Sequence, residues 1–200
     1  MTRLGILLSG RGSNFAAIAQ AIKEGLLRDV EIAVVIANRE DAGGLETARQ
    51  MGLSARCIVS KGVSRDEHDQ ALIATLKDFE VELVCLAGYM RVLTPAFIAA
   101  FPQAILNIHP SLLPAFVGLH VQQAALDYGV KVAGCTVHFV DEAVDHGVIV
   151  LQRTVEVLDA DTAETLAARI LVEEHQAYVE AIERVVSGHY MVVGRRYIRV

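Results

Sequence analysis

Two short stretches of this sequence carry side chains able to act on one reacting centre. In ILNIHP, Asn107 and His109 stand two residues apart, a spacing that puts both side chains on one face of an extended segment. Pro110 cannot continue a strand ladder, so the amide and the imidazole should project at a strand's carboxyl end, with SLLPAFVGLH as a loop to wall them. Asp145, in the polar turn DEAVDHG, is the candidate carboxylate to orient the imidazole and favour its protonated form, with Asp141 and Glu142 as weaker candidates. An amide, an imidazole and a carboxylate suit acyl transfer to an amine. Asn107 and protonated His109 would stabilise the charge that builds on a carbonyl oxygen. His109 and Asp145, through a water where needed, would take the proton from the attacking amine and supply one to the departing nitrogen.

The second stretch is SGRGSN, residues 9–14, between an apolar run and a helical pattern. Doubly wound folds place ligands at the carboxyl ends of parallel strands. There Gly10 and Gly12 allow a sharp turn, and Gly12, Ser13 and Asn14 can aim N–H groups and a hydroxyl at a phosphate over a helix N-terminus. A nicotinamide dinucleotide fingerprint would need glycine at Phe15 and an acid at Asn38, and a P-loop would need a Gly-Lys-Ser or Gly-Lys-Thr that does not follow. The plain alternative is a glycine-rich turn capped by Ser13 without a ligand.

Other chemistries find less support. No G-x-S-x-G turn makes Ser111 a nucleophile, and the 7 histidines have no metal-binding spacing, so no metal is expected. His68 and His189 read as solvated surface residues, and His138 as an inward-facing core or supporting group. Cys57, Cys85 and Cys135 are far apart in apolar runs and read as reduced core thiols of a cytoplasmic protein. The net charge of -6 with scattered Lys and Arg argues against nucleic acid. The short N-terminal apolar run argues against a signal peptide or membrane span.

With 200 residues, 53% of them hydrophobic and 21% charged, the chain can bury a full core. β-Branched runs alternate with helical periodicity, the pattern of a doubly wound α/β fold with a mainly parallel twisted sheet. Strands are predicted at Arg3 to Leu8, Glu31 to Ala37, Ala55 to Val59, Val81 to Ala87 and Ala104 to His109. Helices are predicted at Ser13 to Glu24, Ala42 to Met51, Asp66 to Phe79 and from Pro95 to near Phe101. In the second half, Lys131 to Val140 and Val148 to Val157 form an antiparallel strand pair, Thr162 to Val186 is a long amphipathic helix, and Tyr190 to Val200 is a hairpin or an edge strand.

SGRGSN, AGYMRVL, NIHPSLLPAFVGLH, GCTVHFV, DEAVDHG and the helix carrying VEEH resemble the phosphoribosylglycinamide formyltransferase family over nearly the whole chain. The resemblance implies one formyltransferase domain over residues 1–200, with a nucleotide-phosphate-binding half, 1–100, and a folate-binding and catalytic half, 101–200. It implies transfer of a formyl group from 10-formyltetrahydrofolate to glycinamide ribonucleotide in purine synthesis, by a monomer or weak homodimer. Asn107, His109 and Asp145 would be catalytic. Gly12, Ser13 and Asn14 would hold the substrate phosphate, and Glu174 its ribose hydroxyls or glycinamide part. Folate contacts would fall on Arg65, Met90, Arg91, Val92, Leu93, Asn107, Asp141, Glu142, Ala143, Val144 and Asp145. The related transfer-RNA formyltransferase and formyltetrahydrofolate deformylase carry an additional domain. A related folate-dependent transferase or hydrolase, or a phosphate-binding module without catalysis, are the alternative readings. The chain departs from the family pattern at Val117 and Val148, where many relatives carry proline, and at His146, where a small residue is usual.

Overall fold

A computed structural model describes every residue from Met1 to Val200, in two compact units, Met1–Asn107 and Ile108–Val200. The first unit alternates strand and helix: β1 (Thr2–Leu8), α1 (Ser13–Lys23), β2 (Val30–Ala37), α2 (Gly43–Gln50), β3 (Ala55–Cys57), α3 (Arg65–Asp78), β4 (Leu83–Leu86), α4 (Pro95–Ala100) and β5 (Ile105–His109), whose last two residues lie past the boundary. These strands are parallel and run in the order β3-β2-β1-β4-β5. The chain steps from β1 to β2 on one side and returns to β4 on the other, which opens a crevice at the carboxyl end of β1.

That centre is dry. Leu4, Ile6, Leu7 and Leu8 of β1 and Phe15 and Ile18 of α1 are all 0% exposed, each worth about 1.5–3 kcal/mol of burial. Helix starts follow local chemistry. The Ser64 hydroxyl accepts from the Glu67 N–H while the Glu67 carboxylate accepts from the Ser64 N–H, and Thr94 caps α4 ahead of Pro95.

The second unit contains α5 (Val121–Tyr128), β6 (Val132–Phe139), β7 (Ile149–Glu156), α6 (Ala163–Val186), β8 (Tyr190–Val193) and β9 (Arg196–Arg199). β6 and β7 are antiparallel, with a register shift between Val137 and His138. α6 packs on both through a stripe that includes Leu166, Ile170, Ala177, Tyr178 and Ala181. The mainly parallel sheet and the antiparallel pair are as expected, and the tail is a hairpin, β8 pairing with β9. No helix is long and apolar enough to cross a membrane.

Three expectations are corrected. Helix α5 has no counterpart in the sequence reading, because it follows a Gly- and Pro-containing loop and buries only Val121 and Ala125. Cys57 is exposed, since β3 ends the strand order and is three residues long. His68 is 1% exposed, not solvated: its Nε2 lies 2.8 Å from the Tyr89 hydroxyl, and burial lowers its pKa.

Candidate active site

In the first unit, the β1–α1 turn forms one wall of a pocket of about 410 Å³. Gly12 is the N-cap of α1 with φ 74°, a left-handed backbone that suits glycine, and a Cβ there would come within 3.0 Å of Leu8 Cδ2. No side-chain cap closes this helix N-terminus, and Gly12, Ser13 and Asn14 of its first turn line the pocket, a place where backbone N–H groups can hold an anion. The far wall is tied in place: the Ser9 N–H donates to the Gly88 carbonyl at 3.0 Å, and the Met90 N–H donates to the Ser9 hydroxyl at 2.8 Å.

The sequence reading placed Gly12, Ser13 and Asn14 at this pocket, and all three line it with Met90. It missed Arg11, Asn38 and Arg39, which also line it. The signal for Arg39 was available, because it follows β2 at the crevice. Asp41 holds the Arg39 guanidinium through two hydrogen bonds of 3.0 and 2.7 Å. Arg91 donates to the Ser60 carbonyl at 3.4 Å; Val92 is half exposed and Leu93 buried. Arg65, exposed at the first position of α3, lies apart from the pocket lining.

The strand β5 carries Asn107 and His109 two residues apart, and Pro110 follows its last residue. In the second unit, His109 is 5% exposed and its Nδ1 lies 3.3 Å from Asp145 Oδ2. The other ring nitrogen, Nε2, lies 2.9 Å from the Phe116 carbonyl. Both neighbours accept only, so a ring with a hydrogen on each nitrogen satisfies both at once. The carboxylate is itself fixed, because the Gly118 N–H donates to Oδ2 at 3.0 Å. Phe116 and Gly118 belong to the loop that the sequence placed as a wall, but their backbone roles carry no side-chain signal.

His138, on β6, stands 3.8 Å through Nε2 from Asp145 Oδ1, and its Nδ1 donates to the Phe139 carbonyl at 2.8 Å. Burial lowers its pKa, with partial compensation from that carbonyl and from Asp145. With its Nδ1 hydrogen on that carbonyl, the neutral ring that burial favours turns a bare Nε2 towards Asp145, so of the two imidazoles His109 is the donor to the carboxylate, beside the Gly118 N–H. The loop beneath is braced by Thr136, whose hydroxyl donates to the Ser111 carbonyl at 2.7 Å and accepts from the Leu113 N–H at 3.0 Å.

Of the remaining predicted contacts, Glu174 is 8% exposed on α6 and helps raise the pKa of the buried Cys135 thiol, which burial first of all pushes up to about 12. Asp141 accepts from the Ala143 N–H at 3.1 Å and pairs with His146. Glu142, Ala143 and Val144 are exposed in the same turn.

Fold and site together define an α/β protein with a pocket at a helix N-terminus and a histidine–carboxylate pair at a strand end. The chain belongs to the formyl transferase family, whose pattern matches residues 2–182. It is 38% identical over 184 residues to phosphoribosylglycinamide formyltransferase of Escherichia coli (strain K12), covering 92% of this chain and 86% of that protein. It is 42% identical over 191 residues to the trifunctional purine biosynthetic protein adenosine-3 of Gallus gallus, covering 95% of this chain. The chain spans only 14% to 19% of the length of such trifunctional relatives. The crystal structure of glycinamide ribonucleotide transformylase 1 from Symbiobacterium toebii superposes with a TM-score of 0.97 at 50% identity, covering 100% of this chain and 94% of that one.

Proposed function

We propose that this chain transfers the formyl group of 10-formyltetrahydrofolate to the amine of glycinamide ribonucleotide, giving formylglycinamide ribonucleotide and tetrahydrofolate in de novo purine synthesis. The observation that carries the reading is the 3.3 Å approach of Asp145 to His109 at the end of β5. The named relatives support the choice of substrates.

The amine attacks the formyl carbon, and the carbonyl electrons move onto oxygen. Asn107 and His109 donate hydrogen bonds to that oxygen, His109 turning its Nε2 hydrogen from the Phe116 carbonyl to the substrate. The attacking nitrogen, now cationic, loses a proton towards Asp145, directly or through a water. The oxyanion electrons then re-form the carbonyl as the bond from the formyl carbon to the folate nitrogen breaks, and Asp145 returns its proton, directly or through the water, to that departing nitrogen, so protons balance across the turnover. Asp145 orients the imidazole and, while ionised, offsets its charge. Gly12, Ser13 and Asn14 hold the ribonucleotide phosphate, with Arg11 and Arg39 adding positive charge, and Glu174 holds the ribose hydroxyls or the glycinamide part. Arg65, Met90 to Leu93, Asn107 and Asp141 to Asp145 contact the folate. We place the protein in the cytoplasm as a monomer or weak homodimer.

The test follows folate absorbance with a 10-formyl folate, with and without glycinamide ribonucleotide. The proposal expects deformylation that depends on the ribonucleotide and yields one formylated product per folate. Equal deformylation without it would make the protein a hydrolase, and ribonucleotide binding without turnover would make it a binding module; either result overturns the proposal.

A further inference from the structure

The hairpin β8–β9 begins at Tyr190, beyond the residues that the family pattern covers, and nothing in the reaction above requires it. It is firmly seated. Tyr197 meets Phe139 edge-on at 5.5 Å and stacks on Tyr190 at 5.4 Å, and the Arg184 guanidinium lies 5.6 Å over the Tyr190 ring. Its turn, at Gly194 and Arg195, therefore has a fixed root on β6 and α6.

From that turn Arg195 reaches the loop that carries Asp145. One guanidinium nitrogen donates to the His146 carbonyl at 2.6 Å, and another lies 3.3 Å from His146 Nε2. The His146 Nδ1 hydrogen goes to Asp141 at 2.8 Å, and Asp141 in turn accepts from the Ala143 N–H. Residues 141 to 146 are thus gripped on both sides of Asp145. The grip has something to hold, because Asp145 has φ 50°, a left-handed conformation uncommon for a residue with a Cβ. On its other flank Gly147 lies so flat against β6 that a Cβ would stand 1.8 Å from the Phe139 carbonyl.

We propose that the C-terminal hairpin is a positioning element for Asp145, with Arg195 acting through His146 to hold the loop that presents the carboxylate to His109. Neither residue touches a reacting atom. The effect on turnover rests on the formyl-transfer reading above, whereas the effect on the loop does not. His146 and Asp141 are about half exposed, with side chains 57% and 42% accessible. Such contacts add little to global stability, so losing them should release the loop without unfolding the chain.

The experiment compares the full chain with Arg195→Ala and Arg195→Lys, reading amide exchange of residues 141–147, kcat, both KM values and Tm. Arg195→Ala should speed exchange in that segment about tenfold, cut kcat roughly fivefold to tenfold and leave Tm within about 1 °C, with the ribonucleotide KM unchanged. Arg195→Lys keeps one donor for the His146 carbonyl and should recover much of both losses. Unchanged exchange in Arg195→Ala overturns the proposal, as does faster exchange with unchanged kcat, or a kcat loss that tracks a fall in Tm and is not relieved by lysine. Faster exchange in a protein whose wild type shows no formyl transfer would leave the clamp standing and remove the proposed function.

Discussion

Gly12 holds a left-handed backbone between two elements whose inward residues have no contact with water, whereas Asp145 holds a similar backbone in a half-exposed turn, φ 74° against φ 50°. The first is glycine, which adopts that conformation at little cost. Asp145 pays about 1–2 kcal/mol for it and depends on its neighbours for its place: the Gly118 N–H on its carboxylate and the Arg195 to Asp141 chain around its backbone. The pocket at the start of α1 is therefore a property of the fold, whereas the histidine–carboxylate pair joins a strand end to a turn that its neighbours hold in place. Substitutions at the first should move ligand binding and stability together, and at the second, chiefly turnover.

The largest effect is expected at His109. Replacing it with alanine should lower kcat about 10³-fold or more, far beyond the roughly 1–3 kcal/mol of stability that losing its buried hydrogen bonds costs, and a loss under tenfold in steady-state rates of the folded variant would take the imidazole out of the chemistry. Next comes Gly12→Val, which meets both the φ penalty and Leu8. It should raise the ribonucleotide KM at least about tenfold and also lower stability by roughly 1–3 kcal/mol in urea titrations. A change in KM without a stability change would separate the pocket from the core that we describe as one construction.

A smaller effect concerns the buried histidines. Burial lowers the pKa values of His68 and His138 in the folded protein. Above about pH 6.5, the ordinary value, folded and unfolded chains both carry these rings neutral. As pH falls below that value, the unfolded chain takes up protons that the folded one refuses, and stability declines until the folded pKa is passed. The unfolding free energy from urea titrations should therefore drop between pH 7.5 and 5.5, by at most roughly 1.4 kcal/mol per pH unit for each ring. His68→Gln should flatten that slope while costing some stability at neutral pH. An unchanged slope would show that His68 does not titrate with unfolding.

What could be read from the letters divides along the same comparison. The alternation of apolar runs with helical periods marked β1 to β5, and Gly-x-Gly after the first run marked the turn that lines the pocket, because burial and backbone freedom leave strong sequence signals. The spacing of Asn107 and His109, with Pro110, marked the strand end, and the turn composition singled out Asp145. The sequence could not show that Phe116 and Gly118 serve through backbone atoms, since those groups are common to all residues. His68 looked solvated because α3 is polar overall; its partner Tyr89 lies 21 positions away. The hold of Arg195 on His146 spans 49 positions between two exposed turns, where no periodicity records a contact.

The account stands most directly on Asp145→Asn. Asparagine matches aspartate in shape and tolerates a left-handed backbone, so the turn should keep its form, and the Gly118 N–H should keep an acceptor. The measurement is single-turnover formyl transfer to glycinamide ribonucleotide, with circular dichroism and Tm as controls. The account predicts a rate lowered about 10²-fold to 10⁴-fold in a protein that folds normally. A rate within a few-fold of the wild type would contradict it.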